Sequence, residues 1–248
     1  MLTSVKIAKR ALDLVASVTG LLVTAPLFPL IALAIRLDSP GPVIYRQRRA
    51  GRLRDETEPQ HAPGADPRFE EFAMLKFRTM VADAERKSGA VIAAAADPRI
   101  TRVGRLLRRY RLDELPQFWN VLVGDMSLVG PRPERPELIV NLALAIPFFE
   151  ERMRDVKPGI TGYAQVSLGY SGRPLGDSPV RQQLEQLVNP FGLDYGGEAA
   201  EVEADDMRVK LLYDLPYVAA MERFRSWAAL ELLILLRTPL VMLRGLGR

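Results

Sequence analysis

Residues Leu14 to Ile35 carry no charged side chain. A stretch of this length is long enough to cross the hydrocarbon core of a bilayer as a helix. Basic residues lie near both of its ends, and basic flanks favour the cytoplasmic side. Pro26 lies near the middle, where it removes a helical hydrogen bond and can bend the helix. The pattern predicts a re-entrant helix that breaks at Ala25 and Pro26 and returns to the same face, with a straight signal-anchor span as the alternative.

Beyond this stretch, the periodicity predicts a hairpin followed by helices. Segments Val43–Arg48 and Phe72–Arg78 are enriched in β-branched and aromatic residues, which indicates two short strands joined by a long polar loop. The predicted helices are 81–96, an arginine-rich helix opened by Asp97 and Pro98, 138–153, and 227–242, which Pro239 ends or kinks. The predicted fold class is α+β and predominantly helical, with a re-entrant membrane helix broken near Pro26, a small β-hairpin and amphipathic interfacial helices.

The composition of the 248 residues restricts the chemistry that the chain can perform. It contains no cysteine, which removes disulfides, thiolate metal sites and cysteine nucleophiles. His61 is the single histidine and lies in a loop rich in proline and glycine, so Ser-His-Asp catalysis and multi-histidine metal sites are not expected. Any catalysis would depend on carboxylates, cations, hydroxyls or a bound metal.

Two adjacent carboxylates, Asp113 and Glu114, are the candidate catalytic groups. Aspartate is a good N-cap, and Pro116 and an apolar run follow, so we place a helix start at about Asp113. The positive end of a helix favours an ionised carboxylate and attracts phosphate. An ionised Asp113 beside a phosphate could act as a nucleophile, and Glu114 could help to hold Mg²⁺. The alternative is that both are ordinary first-turn acids.

Basic residues concentrate just before these carboxylates. Arg105, Arg108 and Arg109 have helical spacing and share one face. A nucleic-acid surface is one interpretation, but Tyr110 is the only aromatic residue there, and a helix on an anionic membrane fits at least as well.

Three further segments bear on the candidate site. Residues Pro131 to Glu134 predict a rigid turn that presents Arg132, whose planar guanidinium suits phosphate oxygens. Pro158 to Gly162 predict a tight turn that lets the backbone come close to a ligand or another element. Lys76 and Arg78 on the second strand either supply cations to the site or form a solvated strand face.

Several sequence blocks resemble one family. The blocks are Lys9-Arg10 with Asp13, LDSPGPVIYRQRR, KFRTM, LDELPQFWNVL followed by GDMSLVGPRPE, KPGITGYAQV and KLLYDLPYV. In this order they are similar to the bacterial sugar transferase family, the monotopic phosphoglycosyl transferases. The resemblance implies transfer of a sugar-1-phosphate from a UDP-sugar to undecaprenyl phosphate, with release of UMP. It also implies that Asp113 forms a covalent phosphosugar intermediate and that Glu114 helps to bind Mg²⁺.

The resemblance also assigns phosphate contacts and a location. Arg108 and Arg132 match phosphate-binding positions, and Arg173 is a weaker match because an insertion displaces it. Residues 1–40 would form the re-entrant helix, and residues 41–248 a cytoplasmic catalytic domain at the bacterial inner membrane. The expected partners are a UDP-sugar, undecaprenyl phosphate and the bilayer, and no nucleic acid; the oligomeric state is left open. The alternative function is a non-catalytic, membrane-anchored basic module that binds anionic lipid or nucleic acid.

Overall fold

The computed structural model describes residues 1–54, 68–84, 97–168 and 207–243. The helices in these ranges are α1 (Thr3–Thr24), α2 (Leu27–Asp38), α3 (Arg102–Arg109), α4 (Gln117–Val123), α5 (Pro136–Ala145), α6 (Tyr163–Leu168), α7 (Met207–Ala220) and α8 (Phe224–Leu243). The strands are β1 (Ile44–Leu53), β2 (Phe69–Phe77), β3 (Ser127–Val129) and β4 (Gly159–Thr161), and 3₁₀ turns cover Leu112–Glu114 and Phe149–Met153. The prediction of a mostly helical chain with a small hairpin is confirmed.

The N-terminal helices form a bent pair. α1 ends before Ala25 and Pro26, and α2 leaves at 61° to α1, so the predicted break is confirmed. The hydroxyl of Thr24 donates to the carbonyl oxygen of Gly20 (2.6 Å), a contact that can bend a helix end. Among the described helices, none alone has the length and hydropathy to cross a membrane, whereas α1 and α2 together do.

The hairpin is longer than predicted. Strands β1 and β2 are antiparallel, with Ile44 opposite Phe77, and an irregularity lies between Ala50 and Leu53. The loop between the strands falls at residues 55–67, outside the described residues. Because the pairing continues to Phe69, the hairpin extends well past the β-branched residues that predicted it.

The turn predicted over Pro158 to Gly162 is wrong, but the close backbone approach predicted with it is confirmed. Residues 159–161 form β4, which pairs in parallel with β3. The glycines allow two backbones to approach closely: a Cβ on Gly130 would lie 2.3 Å from the carbonyl oxygen of Lys157, and one on Gly159 would lie 2.1 Å from Gly130 N. Glycine is required here for close packing and not for a turn.

Several helix boundaries also differ from prediction. The arginine-rich helix α3 begins at Arg102, after its N-cap Thr101, and not at Asp97 and Pro98. Asp97 instead accepts hydrogen bonds from the backbone N–H and the guanidinium of Arg99, which closes a turn before the helix. Because Thr101 accepts from Gly104 N (2.9 Å), it supplies the cap that Asp97 was expected to provide.

Two other differences concern helices that contain or precede a proline. The helix predicted over 138–153 is divided into α5 and a 3₁₀ turn, because Pro147 cannot donate the next helical hydrogen bond. Pro239 does not end α8, which continues to Leu243.

Of the helix predicted over 81–96, only residues 81–84 are described, and they include a turn.

Buried polar contacts attach α1 to the rest of the protein. Lys9 Nζ donates to Glu231 Oε1 on α8 (2.7 Å) and to the carbonyl oxygen of Val129 on β3 (2.8 Å). Asp13 Oδ1 accepts from the hydroxyl of Ser127 (2.9 Å) and from Leu128 N (2.8 Å). The bent pair is therefore fixed against the small parallel sheet.

Arg10 attaches α1 to α4 as well. Its guanidinium donates to the carbonyl oxygens of Val121 and Leu122 (both 2.8 Å), at the negative end of α4. Gly124 ends α4 in a left-handed conformation (φ 96°). These contacts fix α4, and with it the turn that carries the two candidate catalytic carboxylates.

Candidate active site

The carboxylate pair, Asp113 and Glu114, lies in the 3₁₀ turn between α3 and α4. Arg111 adopts a left-handed conformation (φ 58°), which allows a sharp turn after α3. The predicted helix start at Asp113 is wrong, because the regular helix α4 begins only at Gln117, after a proline that has no N–H to donate. Both carboxylates are buried, with exposed fractions of 6% and 8%.

Glu114 is surrounded by cations. Its Oε1 lies 3.2 Å from Lys76 Nζ, 3.4 Å from an Arg111 nitrogen and 3.7 Å from an Arg132 nitrogen. Burial alone would raise the pKa of Glu114, but Lys76, Arg132 and Arg111 together outweigh burial and lower this pKa to about 2. Glu114 is therefore ionised at neutral pH. It lies close to cations from three parts of the chain: Lys76 on β2, Arg111 just before the 3₁₀ turn, and Arg132 after β3.

Asp113 has the opposite environment. Its Oδ1 is buried without a hydrogen-bond partner among the described residues. Burial and the adjacent Glu114 charge raise the pKa of Asp113, although Lys76, Arg111 and Arg108 oppose the rise. The expectation that a helix terminus would favour its ionised form is wrong. When ionised, Asp113 is a poorly solvated carboxylate whose Oδ1 is not engaged by a hydrogen bond from the described residues.

The cations that act on the carboxylate pair are Lys76, Arg108, Arg111 and Arg132, here called the cationic cluster. Four positive charges face two negative charges, so a surplus of two remains. Such a surplus favours a ligand with several negative charges, and the guanidinium groups suit phosphate oxygens in particular.

Arg132 lies on a backbone segment that other buried groups fix in place. Arg152 donates to the carbonyl oxygen of Arg132 (3.2 Å), and Arg49 donates to that of Pro133 (3.0 Å). Arg152 is itself paired with Asp214 on α7, and both side chains are 1% exposed. The segment around Arg132 is therefore rigid because several long-range contacts hold it, and not because of its prolines alone.

The remaining predicted basic residues differ in position. Arg108, a member of the cationic cluster, lies at the end of α3, where its Nε donates to the hydroxyl of Thr79 (2.9 Å). Arg78 turns away from the carboxylate pair and donates to the carbonyl oxygens of Ser39 (2.7 Å) and Pro40. Arg173 lies outside the described residues, so its role stays a prediction.

A profile of one protein family, described as bacterial sugar transferase, matches residues 4–189. The chain belongs to the bacterial sugar transferase family. It is 35% identical over 239 residues to a UDP-N-acetylgalactosamine-undecaprenyl-phosphate N-acetylgalactosaminephosphotransferase of Aeromonas hydrophila, which covers 96% of this chain and 44% of the relative.

Two more relatives carry the name of another sugar. The chain is 37% identical over 237 residues to a UDP-glucose:undecaprenyl-phosphate glucose-1-phosphate transferase of Caulobacter vibrioides, covering 95% of the chain and 69% of that relative. It is 45% identical over 161 residues to an undecaprenyl-phosphate glucose phosphotransferase of Komagataeibacter xylinus, covering 64% and 27%. This chain thus spans between about a quarter and two thirds of these relatives, whose names include two different sugars.

Sequence reasoning missed Arg111 as a site residue of this sugar transferase family member. The sequence patterns did not single out Arg111, whereas the structure places it beside Glu114. Its spacing gave no signal, because its position depends on the left-handed conformation at the end of α3. Arg49 was also missed, and its contact with Pro133 required the pairing of distant segments.

The carboxylate pair of this sugar transferase family member supplies two side chains of the kind that Mg²⁺ uses as ligands. The described residues contain no group of three or more metal-ligating side chains of the kinds His, Cys, Asp or Glu. Mg²⁺ commonly binds one or two carboxylates and completes its coordination with substrate phosphates and water. Of the pair, Asp113 Oδ1 is buried and has no hydrogen-bond partner among the described residues, whereas Glu114 Oε1 already faces three cations.

Proposed function

We propose that this chain transfers a sugar-1-phosphate from a UDP-sugar to undecaprenyl phosphate and releases UMP. The observation that carries this proposal is the buried Asp113, whose Oδ1 has no hydrogen-bond partner among the described residues, beside a surplus of cations. The names of the relatives support the lipid acceptor and the sugar-phosphate donor.

In the first step, an Asp113 carboxylate oxygen forms a bond to the β-phosphorus of the UDP-sugar. The bond from this phosphorus to the bridging oxygen breaks, and UMP leaves with that oxygen. In the second step, a phosphate oxygen of undecaprenyl phosphate attacks the same phosphorus. The bond to Asp113 breaks, which regenerates the carboxylate and releases the polyprenyl diphosphate sugar.

The raised pKa of Asp113 is consistent with this role, because poor solvation makes an anion more reactive. The cationic cluster would bind the diphosphate and stabilise the charge that develops in both steps. Arg108 and Arg132 are the proposed phosphate contacts, and Arg111 is added from its position beside Glu114.

Asp113 and Glu114, together with substrate phosphate oxygens, would hold Mg²⁺ in this proposal. When bound, Mg²⁺ neutralises charge on the diphosphate and on the leaving UMP. Glu114 already faces three cations through Oε1, so its charge would be shared between the metal and the cationic cluster.

The bent pair would be a re-entrant membrane element whose two ends lie at the cytoplasmic face of the bacterial inner membrane. Large apolar side chains are exposed on both of its helices, including Leu22 (71%) and Val23 (72%) on α1 and Leu30 (65%) on α2. Exposed apolar surface of this extent is typical of contact with lipid or protein. A site held at this interface would meet a lipid phosphate and a water-soluble nucleotide together.

The test is UMP release by the full chain in lipid discs with Mg²⁺, undecaprenyl phosphate and a panel of UDP-sugars. We expect release that depends on the lipid and falls by several orders of magnitude in Asp113→Asn. Asp155→Asn is the control, because Asp155 is a surface residue with a positive φ that asparagine also adopts. Silence across the panel, with lipid binding that weakens steeply in salt, would instead favour the non-catalytic basic module.

A further inference from the structure

A cavity of about 240 Å³ lies beside the carboxylate pair. Arg111 and Glu114 form part of its wall, and the remaining wall comes from α4, the small parallel sheet, α6 and α8. Pockets for whole drug-sized ligands are larger, at roughly 300–1,000 Å³, so this cavity has room for only part of a larger molecule. We call it the apolar groove.

Most of the wall of the apolar groove is hydrophobic. Leu115, Phe118, Leu235 and Val241 contribute aliphatic and aromatic surface. Away from the carboxylate pair, the polar exceptions are two threonines and Gln165, whose Oε1 is buried without a hydrogen-bond partner among the described residues. A groove with this lining offers few hydrogen-bond partners, so it would leave most polar groups of a sugar or a uracil unpaired.

Two threonines in the wall do not change this character. The hydroxyl of Thr238 donates to the carbonyl oxygen of Ile234 (2.7 Å). The hydroxyls of Thr238 and Thr161 are 2.8 Å apart, and since the single Thr238 proton is already used, Thr161 is the donor between them. Both hydroxyls are therefore engaged within the protein.

The groove connects the charged site with exposed apolar surface. Pro239 and Met242 line it on α8, where the neighbouring side chains Leu236 and Leu240 are 63% and 53% exposed. On its other side, the ring of Phe118 packs against α1 at Gly20, where a Cβ would lie 2.9 Å from ring atoms. The groove therefore runs from the cationic cluster towards the bent pair and the exposed face of α8.

We propose that the apolar groove binds the isoprenoid units next to the phosphate of the polyprenyl phosphate acceptor. This inference rests on the proposed function. An amphiphile with one anionic end and a long hydrocarbon chain matches both ends of the groove: its phosphate meets Arg111 and the other cations, and its first isoprenoid units lie against Leu115, Phe118 and Leu235. The rest of the chain continues onto the exposed apolar surface and into the bilayer.

The decisive variant is Leu235→Trp, which fills the groove, and the control is Leu144→Trp, at a position of α5 that is 79% exposed and does not line the groove. Each is assayed as the full chain in lipid discs, with undecaprenyl phosphate varied as a mole fraction and the UDP-sugar varied separately. We expect Leu235→Trp to raise the KM for undecaprenyl phosphate about tenfold, since it displaces a few buried methylene groups. The KM for the UDP-sugar in Leu235→Trp, and both KM values in Leu144→Trp, should stay within about twofold of the wild type.

The outcomes separate this inference from the proposed function. A wild-type chain that does not turn over undecaprenyl phosphate contradicts the proposed function itself. A wild-type chain that turns over, with an unchanged lipid KM in Leu235→Trp, overturns the groove assignment alone. A KM that rises for the UDP-sugar instead also overturns it. If Leu235→Trp does not fold, Leu235→Ala decides, with a lipid KM expected to rise about threefold through lost contact.

Discussion

Two buried charge clusters in this protein are organised in opposite ways. Lys9 and Glu231, which join α1 to α8, are 6% and 2% exposed, much like the carboxylate pair. Both oxygens of Glu231 have partners, because Oε1 accepts from Lys9 (2.7 Å) and Oε2 accepts from the Tyr217 hydroxyl (2.9 Å). One cation faces one carboxylate, and their charges balance.

The carboxylate pair has neither balance nor full pairing. The cationic cluster supplies four positive charges to two carboxylates, and Asp113 Oδ1 has no hydrogen-bond partner among the described residues. Burial is similar in the two clusters, so burial alone does not mark a functional site. Two features distinguish the carboxylate pair from the Lys9–Glu231 cluster: the surplus of positive charge and the unpaired Asp113 Oδ1. Both can be compensated by a bound anionic ligand.

The largest effect on folding should follow from breaking the balanced cluster. Lys9→Met leaves Glu231 buried without its cation, and we expect a loss of about 3–5 kcal/mol in the free energy of unfolding. Lys9→Met combined with Glu231→Leu removes both charges and should recover most of this loss. Denaturant unfolding in detergent measures the stability of both variants. A double variant no more stable than Lys9→Met would contradict the inference that the unpaired charge of Glu231 causes the loss.

A smaller effect, on activity, should follow from changing the site. Glu114→Gln removes the charge that gathers Lys76, Arg111 and Arg132, and we expect the rate of UMP release to fall about a hundredfold. Glu151→Gln is the control, because Glu151 belongs to a more exposed ion pair with Arg154. Equal rates for the two variants would show that the arrangement around Glu114 is unimportant for the reaction.

The smallest effect concerns stability and has opposite signs at the two carboxylates. The folded-state pKa of Asp113 is raised above its ordinary value of 3.8, so the ionised group costs stability as pH rises from 3.8 through the folded-state pKa. Asp113→Asn removes this cost, and we expect it to gain about 1 kcal/mol over the wild type at neutral pH.

Glu114 should behave in the reverse manner. Its pKa falls from 4.5 to about 2, so its stabilising contribution is present above 4.5 and is lost as pH falls towards 2. Glu114→Gln should therefore lose stability relative to the wild type as pH rises through this range. Thermal unfolding between pH 3 and pH 7 measures how the stability of each variant, relative to the wild type, changes with pH. If this difference changes in the same direction for Asp113→Asn and Glu114→Gln, the opposite pKa shifts of the two carboxylates are contradicted.

The sequence predicted the bent pair and the hairpin because local patterns determine them. Pro26 interrupts an apolar helix, and β-branched residues mark the strands, so both features can be found without knowledge of distant contacts. The small parallel sheet could not be found in this way. Its strands have three residues each, and its glycines are explained only by the close approach of Gly130 and Gly159.

The candidate site was partly predictable for the same reason. Asp113, Glu114 and Arg132 belong to recognisable blocks, but the pairing of Glu114 with Lys76 joins a strand to a turn far along the chain. The raised pKa of Asp113 was predicted with the wrong sign, since burial cannot be read from its neighbours in sequence. Local residue types identified the carboxylates, and tertiary packing determined their electrostatics.

The role of Asp113 as the nucleophile is best tested by the intact mass of the protein after incubation with a UDP-sugar and Mg²⁺ in the absence of undecaprenyl phosphate. We expect an added mass equal to one sugar phosphate, located on Asp113, absent from Asp113→Asn and lost when the lipid is supplied. Turnover by a wild-type protein that never carries this added mass, or the same added mass on Asp113→Asn, would contradict the role of Asp113 as the nucleophile.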